Sequence, residues 1–290
     1  MSRDFEHDRP GPAVFIGCRG CGLVVQDHPP DRGAMLSAYP EDYHAYHEYS
    51  SALMARTKER YYRRRAREYG RRLGRPRASV LDVGCSDGNF LAAMRRVFPE
   101  WTLRGVDFNP RVVSAGRARG LTIDEGTLED IGYAPESFDL IVMHHMIEHA
   151  FDPFATLALC RALLRPEGLL VGETPNVNCW DLDVFGGYWG GLHAPRHIVL
   201  FTPASLDRAA RGAGLQTEEI AHALQPAHIA LSVQHWLQAH RATRVELRNG
   251  RAFYYPYLLW LCLPLVAWQV LTRRSGVMTF ALRRPEARAA

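Results

Sequence analysis

Residues 79–91, Ser-Val-Leu-Asp-Val-Gly-Cys-Ser-Asp-Gly-Asn-Phe-Leu, constrain the fold more than any other stretch. Val80, Leu81 and Val83 form a short apolar run, Gly84 and Gly88 break it, and Asn89 to Arg96 has helical composition. A strand, a glycine turn and a helix opening in that order bring a ligand against bare backbone. A second run, Thr102 to Val106, ends in Asp107. A carboxylate at the tip of that second strand can accept hydrogen bonds from both hydroxyls of a ribose. Together the two features indicate a nucleoside-containing cofactor.

The spacing selects among such cofactors. Gly84-x-x-x-Gly88 is not the Gly-x-Gly-x-x-Gly of a dinucleotide site, and no Gly-Lys-Ser/Thr follows it. Asp82 and Asp87 flank the turn, where carboxylates would sit badly beside a pyrophosphate. They suit a cofactor carrying an ammonium and a sulfonium, such as S-adenosylmethionine.

On these residues the chain resembles the class I S-adenosylmethionine-dependent methyltransferases. The matching motifs are Leu81 to Gly88, Gly105-Val-Asp-Phe-Asn-Pro110 and Ser137-Phe-Asp-Leu-Ile-Val142. Three later ones also fit: His145-Met-Ile-Glu-His149, Leu164-Arg-Pro-Glu-Gly168 and Pro195-Arg-His-Ile-Val-Leu-Phe-Thr202. The likeness is to the subgroup that includes ubiquinone-pathway-like and natural-product methyltransferases, and it covers residues 78–220 and 276–283. Ser86 stands where the family usually has the middle glycine of its turn.

The resemblance implies an α/β fold, a doubly wound, mostly parallel seven-stranded Rossmann-like sheet. It implies that Asp82, Gly84, Cys85 and Gly88 line the cofactor and that Asp107 holds its ribose. Phe108 would cover the adenine, Thr127 and Leu128 would meet its edge, and His144 would face the cofactor from the fourth strand. Alternating strand and helix patterns over residues 79–220 agree with a parallel sheet that binds ligands at its carboxyl ends.

The fourth strand runs into Met143-His-His-Met-Ile-Glu-His149. A helical turn would set His145, Glu148 and His149 on one face, and His197 follows the next strand. Three readings stay open. One histidine is a general base that takes a hydroxyl proton during methyl transfer. Alternatively His145, Glu148, His149 and His197 hold a divalent metal, as in the Glu-x-x-Glu-His site that the pattern resembles, although histidine replaces its first glutamate. Otherwise Glu148 and His149 tie loops together beneath the pocket.

Around this core, the sequence divides into a 1–50 extension, a 51–77 basic helix, a 78–221 core, a 222–275 apolar insertion and a 276–290 last strand and tail. The extension carries one Cys-x-x-Cys knuckle, Cys18 and Cys21; a structural zinc site takes four ligands, so His7 and His28 would have to complete the set. Tyr39, Tyr43, Tyr46 and Tyr49 follow as a stripe that packs on the core or walls a pocket. Residues 56–77 hold eleven basic residues against Glu59 and Glu68, read as a solvated face, with nucleic-acid binding and attraction to anionic lipid headgroups as the alternatives. Residues 174–192 are glycine- and aromatic-rich, and Tyr188 and Trp189 are expected as a mobile wall over the acceptor.

Residues 252–272 carry no charge, yet a core strand follows them. A single membrane span would put the last two strands on opposite sides of a bilayer. The insertion is therefore expected to be a helical hairpin, bent at Pro256 and Pro264, that dips into one leaflet, lids the site or forms a dimer interface. The net charge of +4 is only mildly basic, and the charged N-terminus shows no secretory signal. The six cysteines read as reduced thiols of a cytoplasmic protein, peripheral at the inner face of the cell membrane if the hairpin meets lipid.

The resulting expectation is O-methylation of a small or lipid-linked acceptor. N- or C-methylation and a non-catalytic scaffold are the alternatives. No nucleic-acid partner is expected, and the oligomeric state is not fixed by the sequence.

Overall fold

A computed structural model describes residues 1–5, 13–37, 52–240 and 251–286. Tyr39, Tyr43, Tyr46, Tyr49 and His7 lie outside the described residues. The central sheet has seven strands in the order β5-β4-β3-β6-β7-β10-β9. They are β3 (Ser79–Val83), β4 (Thr102–Asp107), β5 (Ile123–Glu125), β6 (Phe138–His144), β7 (Leu164–Pro175), β9 (Gln216–His222) and β10 (Val277–Arg283). Only β10 runs antiparallel to its neighbours: Met278 faces Thr174 of β7 on one side and His222 of β9 on the other. The last strand thus returns beside the preceding one, as the sequence required.

Helices α3 (Asn89–Val97), α4 (Pro110–Ala118), α6 (Pro153–Leu163) and α8 (Pro203–Gly212) connect the strands. Three of them open on a polar cap followed by proline. Asn109 accepts from the Arg111 amide, Asp152 from those of Phe154 and Ala155, and Thr202 from that of Ser205. A cap oxygen satisfies an amide that the first helical turn leaves unpaired, and proline at the first position gives up no hydrogen bond.

Strand alternation sorts the core into two layers. Val80, Leu140, Val142, Leu169 and Val171 face α3 and α2 (Ala52–Leu73), against Phe90, Met94, Ala66, Tyr69 and Leu73. Leu81, Val83, Ile141, Met143 and Leu170 face α6 and α8, against Leu157, Cys160 and Leu206. The same alternation carries Asp82, His144 and Glu173 to the α2 face, at the carboxyl ends of three adjacent strands.

The extension is not a separate knuckle module. Its hairpin β1 (Val14–Gly17) and β2 (Val24–Asp27) pairs with β8 (Val199–Leu200) of the core region in a second, three-stranded sheet. Asp4 forms a buried ion pair with Arg196 at 3.0 Å, and Phe5 stacks on His235. Cys18 and Cys21 sit in the hairpin turn; among the described residues no third ligand gathers with them, and His28 pairs with Asp27 instead. All six cysteines are free.

Two local expectations are corrected. Residues 174–192 are not a mobile wall. They fold into α7 (Trp180–Phe185) and a 3-10 turn, and Trp189 is 1% exposed, packed with Cys179, Leu192 and Leu200. Pro256 does not bend a helix but opens α10 (Tyr255–Leu261), where proline is at home. The break falls at Cys262, before Pro264 and α11 (Leu263–Leu271), and α9 (Ala227–Ala239) supplies the first arm.

Candidate functional site

The turn after β3 is built for close approach. Gly84 and Gly88 have φ of 70° and 77°, and Ser86 takes φ 51° in the same left-handed region. A Cβ on Gly88 would meet Leu121 at 2.4 Å, and one on Gly105 would meet the Cys85 Sγ at 2.5 Å. Gly105 therefore lets the turn lie close on β4, and Gly88 lets the start of α3 approach Leu121 and Ile123 at the start of β5. The Gly84 and Cys85 amides donate to the Val106 carbonyl, at 2.9 and 3.2 Å.

Asp107 is nearly buried and accepts from the Ser86 amide at 2.8 Å and the Asn109 amide at 3.0 Å. Each carboxylate oxygen thus accepts one amide and keeps lone pairs to spare for a ligand. Burial pushes the carboxyls of Asp82 and Asp107 above their ordinary range, and the charge of Asp107 adds to the effect at Asp82. Two adjoining carboxylates held this way favour a cationic ligand, which would relieve both.

The other expected cofactor contacts divide. Phe108 is half-buried beside Asp107, and Thr127 caps the short helix α5 (Leu128–Ile131). Leu128 is 2% exposed in the α6-side core, so only its backbone is free to meet an adenine edge. His144 is half-buried: its Nε2 lies 2.9 Å from the Tyr69 hydroxyl, its ring stands edge-on to Phe90, and Tyr62 lies nearly parallel to it.

Beyond the β6 tip, the structure brings together all four residues expected to be catalytic. Glu148 is the hub and is fully buried. One oxygen lies 3.1 Å from His145 Nδ1 and 4.0 Å from His197 Nε2; the other accepts from the Thr174 hydroxyl at 2.9 Å. Oxygen and nitrogen donors of Glu148, His149 and His197 lie within 4.8 Å of one another. His145 has φ 52°, rare for a residue with a side chain and typical of strained functional positions.

The histidines are not equivalent. Burial disfavours an imidazolium at His145, but the hydrogen bond and charge of Glu148, with the charge of Glu173, outweigh it and raise its pKa. Glu148 itself is held at about 2, because His145 overcomes its burial. The imidazolium is therefore favoured at His145, which lies between the carboxylates of Glu148 and Glu173 at 3.1 and 3.9 Å. His149 and His197 are shifted the other way, by burial, and stay neutral. Each places Nδ1 on a carbonyl, Arg196 at 2.9 Å and Gly191 at 2.8 Å. A carbonyl can only accept, so Nδ1 carries the proton and Nε2 keeps its lone pair.

Sequence reasoning missed a third group, on the α2 face. Glu173 ends the apolar run of β7 and is held at about 2: burial alone would raise it, but His144, Arg65 and His145 outweigh that. Tyr61 and Gln225 donate to its carboxylate, and Arg65 pairs with it at 3.0 Å. Helix α2 is thus latched over the carboxyl ends of the sheet rather than being only a solvated face. The signal was present, since an acid inside Leu-Leu-Val-Gly-Glu-Thr demands a partner.

A family model described as a methyltransferase domain matches residues 54–220. The chain belongs to this methyltransferase-domain family. The domain's cofactor is S-adenosylmethionine, and close-approach glycines and two carboxylates gather at the carboxyl ends of β3 and β4. The ubiquinone biosynthesis O-methyltransferase of Cereibacter sphaeroides is 34% identical over 148 residues, 47% of this chain and 59% of that protein. Its namesake from Thiobacillus denitrificans is 33% identical over 154 residues, 49% of this chain and 66% of that protein. The match therefore spans about six-tenths of each relative.

Among solved structures, an S-adenosylmethionine-dependent methyltransferase from Archaeoglobus fulgidus superposes with a TM-score of 0.52 at 18% identity, over 78% of this chain and 94% of that one. A sarcosine dimethylglycine methyltransferase from Galdieria sulphuraria gives 0.52 at 15% identity, over 79% and 86%. At such identities the likeness establishes the Rossmann-like methyltransferase fold.

Proposed function

We propose that this domain transfers a methyl group from S-adenosylmethionine to a hydroxyl of a small acceptor bearing an apolar or lipid-linked tail. The observation that carries the oxygen assignment is the neutral His149, its Nε2 fixed as an acceptor beside Glu148 and His197. The bound cofactor supplies an activated methyl group, so the chain has only to orient the acceptor and accept one proton. His149 Nε2 takes the hydroxyl proton as the oxygen attacks. Glu148 steadies the imidazolium so formed, and His145 keeps Glu148 ionised and fixed. The relatives are named ubiquinone biosynthesis O-methyltransferases, which favours an oxygen acceptor with a lipophilic tail.

A second reading has one observation behind it. Glu148, His149 and His197 offer one oxygen and two nitrogens, each histidine braced through Nδ1 by a carbonyl, the usual support of a metal-bound imidazole. That donor set suits a transition metal better than magnesium. Such an ion would activate the hydroxyl in place of the base. Against it, the imidazolium of His145 lies 3.1 Å from Glu148 and competes for the same carboxylate.

Labelled methyl donor offered with a panel of phenolic and lipid-linked hydroxyl acceptors tests the reaction. Label appearing on nitrogen or carbon, or on nothing, refutes it. Chelator treatment separates the two readings: retained turnover leaves His149 as the base. Residues 226–274 are part of this proposal as the place where a cytoplasmic enzyme would meet an acceptor held in the inner face of a membrane.

A further inference from the structure

Helices α10 and α11 bury one side and leave the other bare. Tyr255, Cys262 and Val266 pack on Ile229, Ala230 and Leu231 of α9. The opposite side shows Phe253, Tyr257, Trp260, Leu261 and Leu271 at 67–83% exposure, with Leu265 and Trp268 near half. No charged side chain interrupts residues 252–272. A contiguous apolar face of this kind is uncommon on a soluble monomer and marks a contact surface.

We infer that the α10–α11 face docks shallowly in one leaflet of an anionic bilayer. Three observations select lipid. First, α10 and α11 have seven and nine residues, so they rise only about 10 and 14 Å, well short of the roughly 30 Å of a hydrocarbon core. Among the described residues no helix is long and apolar enough to cross a membrane.

Second, the pair is fastened to the core at both ends and cannot straighten into a span. Gln234 accepts from the Ala252 amide at 3.0 Å, Gln269 donates to the buried Asp181, and Trp180 donates to Thr272 at 3.1 Å. Third, the surroundings are cationic. Arg273 is exposed where α11 ends. The root of the insertion is tied to α2 by Gln225 and Tyr61, at 3.0 Å, and α2 exposes Arg56, Lys58, Arg60, Arg64 and Arg67. Exposed tryptophan and tyrosine next to the exposed Arg273 fit the headgroup boundary, and anionic lipid complements that charge and the cations of α2.

The inference deepens the proposed function by naming where an acceptor's apolar tail would be met, and it rests on that reading only for the acceptor. The test is flotation of the full chain with vesicles of phosphatidylcholine alone or mixed with phosphatidylglycerol. The wild type should float with the mixed vesicles and lose most of that binding in high salt. The double variant Trp260→Asp, Leu261→Asp should partition about a hundredfold more weakly. Its S-adenosylmethionine binding, measured by calorimetry, should be unchanged, which shows that it folds. Equal flotation of the two proteins, or none by either, overturns the inference. So does a dimer in analytical ultracentrifugation that the double variant dissolves, since the face would then belong to a second copy. Flotation without methyl transfer would sink the functional reading and leave the docking surface standing.

Discussion

Replacing Glu148 by glutamine tests the electrostatic logic of the site most directly. Glutamine keeps the shape and removes the charge that holds His145 protonated. Glu148 is held at about 2 against an ordinary 4.5, so at neutral pH its ionised form contributes on the order of 3 kcal/mol to folding. Glu148→Gln should therefore lower the urea unfolding free energy by about 3 kcal/mol at pH 7, or Tm by roughly 6–12 °C.

The pH dependence separates this cause from a packing defect. The share that belongs to Glu148 is present above about pH 4.5 and is lost as pH falls through about 2. His145 has a raised folded pKa. Its share is full below about pH 6.5 and disappears as pH rises through that raised value. The neutral buried histidines, His149 and His197, act oppositely and cost stability on acidification. They do so in both proteins and largely cancel in the difference. The gap between wild type and Glu148→Gln should thus be widest near pH 6 and narrow towards alkaline pH. Urea titrations from pH 5 to 9 measure it. A gap under about 0.5 kcal/mol, or one that does not vary with pH, refutes the assignment of His145 as a cation clamped by Glu148.

Three shorter predictions follow from the same geometry. Asp107→Ala should weaken S-adenosylmethionine binding by at least about thirtyfold in calorimetry, since two ribose hydroxyls lose a charged acceptor; an unchanged affinity places the ribose elsewhere. His149→Gln should lower kcat by roughly 10²–10⁴ with cofactor affinity kept, and unchanged turnover removes the base. Ser86→Gly should leave stability unchanged or raise it by up to about 1 kcal/mol in urea unfolding, because φ 51° strains a residue with a Cβ; a clear loss would show that the serine side chain supports the turn.

How much was legible in advance depends on whether the cause was local. The turn from Gly84 to Gly88, Asp107 and the cap-proline helix starts depend on neighbours within a few residues, so they stand where the pattern places them. Trp189 looked like a surface aromatic because its glycine neighbours suggest a loop. In fact Gly190 lies so close to α9 that a Cβ there would meet Leu231 at 2.5 Å. Leu128 stands where the motif places a cofactor contact, and because its side chain turns into the core only its backbone is left for that role.

Local pattern was enough for the doubly wound sheet, the return of the last strand and the glycine turn after β3, because apolar period and turn chemistry are short-range properties of the chain. Which histidine favours the charged form emerges only from the folded arrangement. That depends on Glu148 and Glu173 reaching His145 from two different elements, in an interior where an unpaired charge is not tolerated. The folded arrangement likewise makes α2 a latch, because Tyr61, Arg65 and Gln225 meet Glu173 only once the sheet has formed.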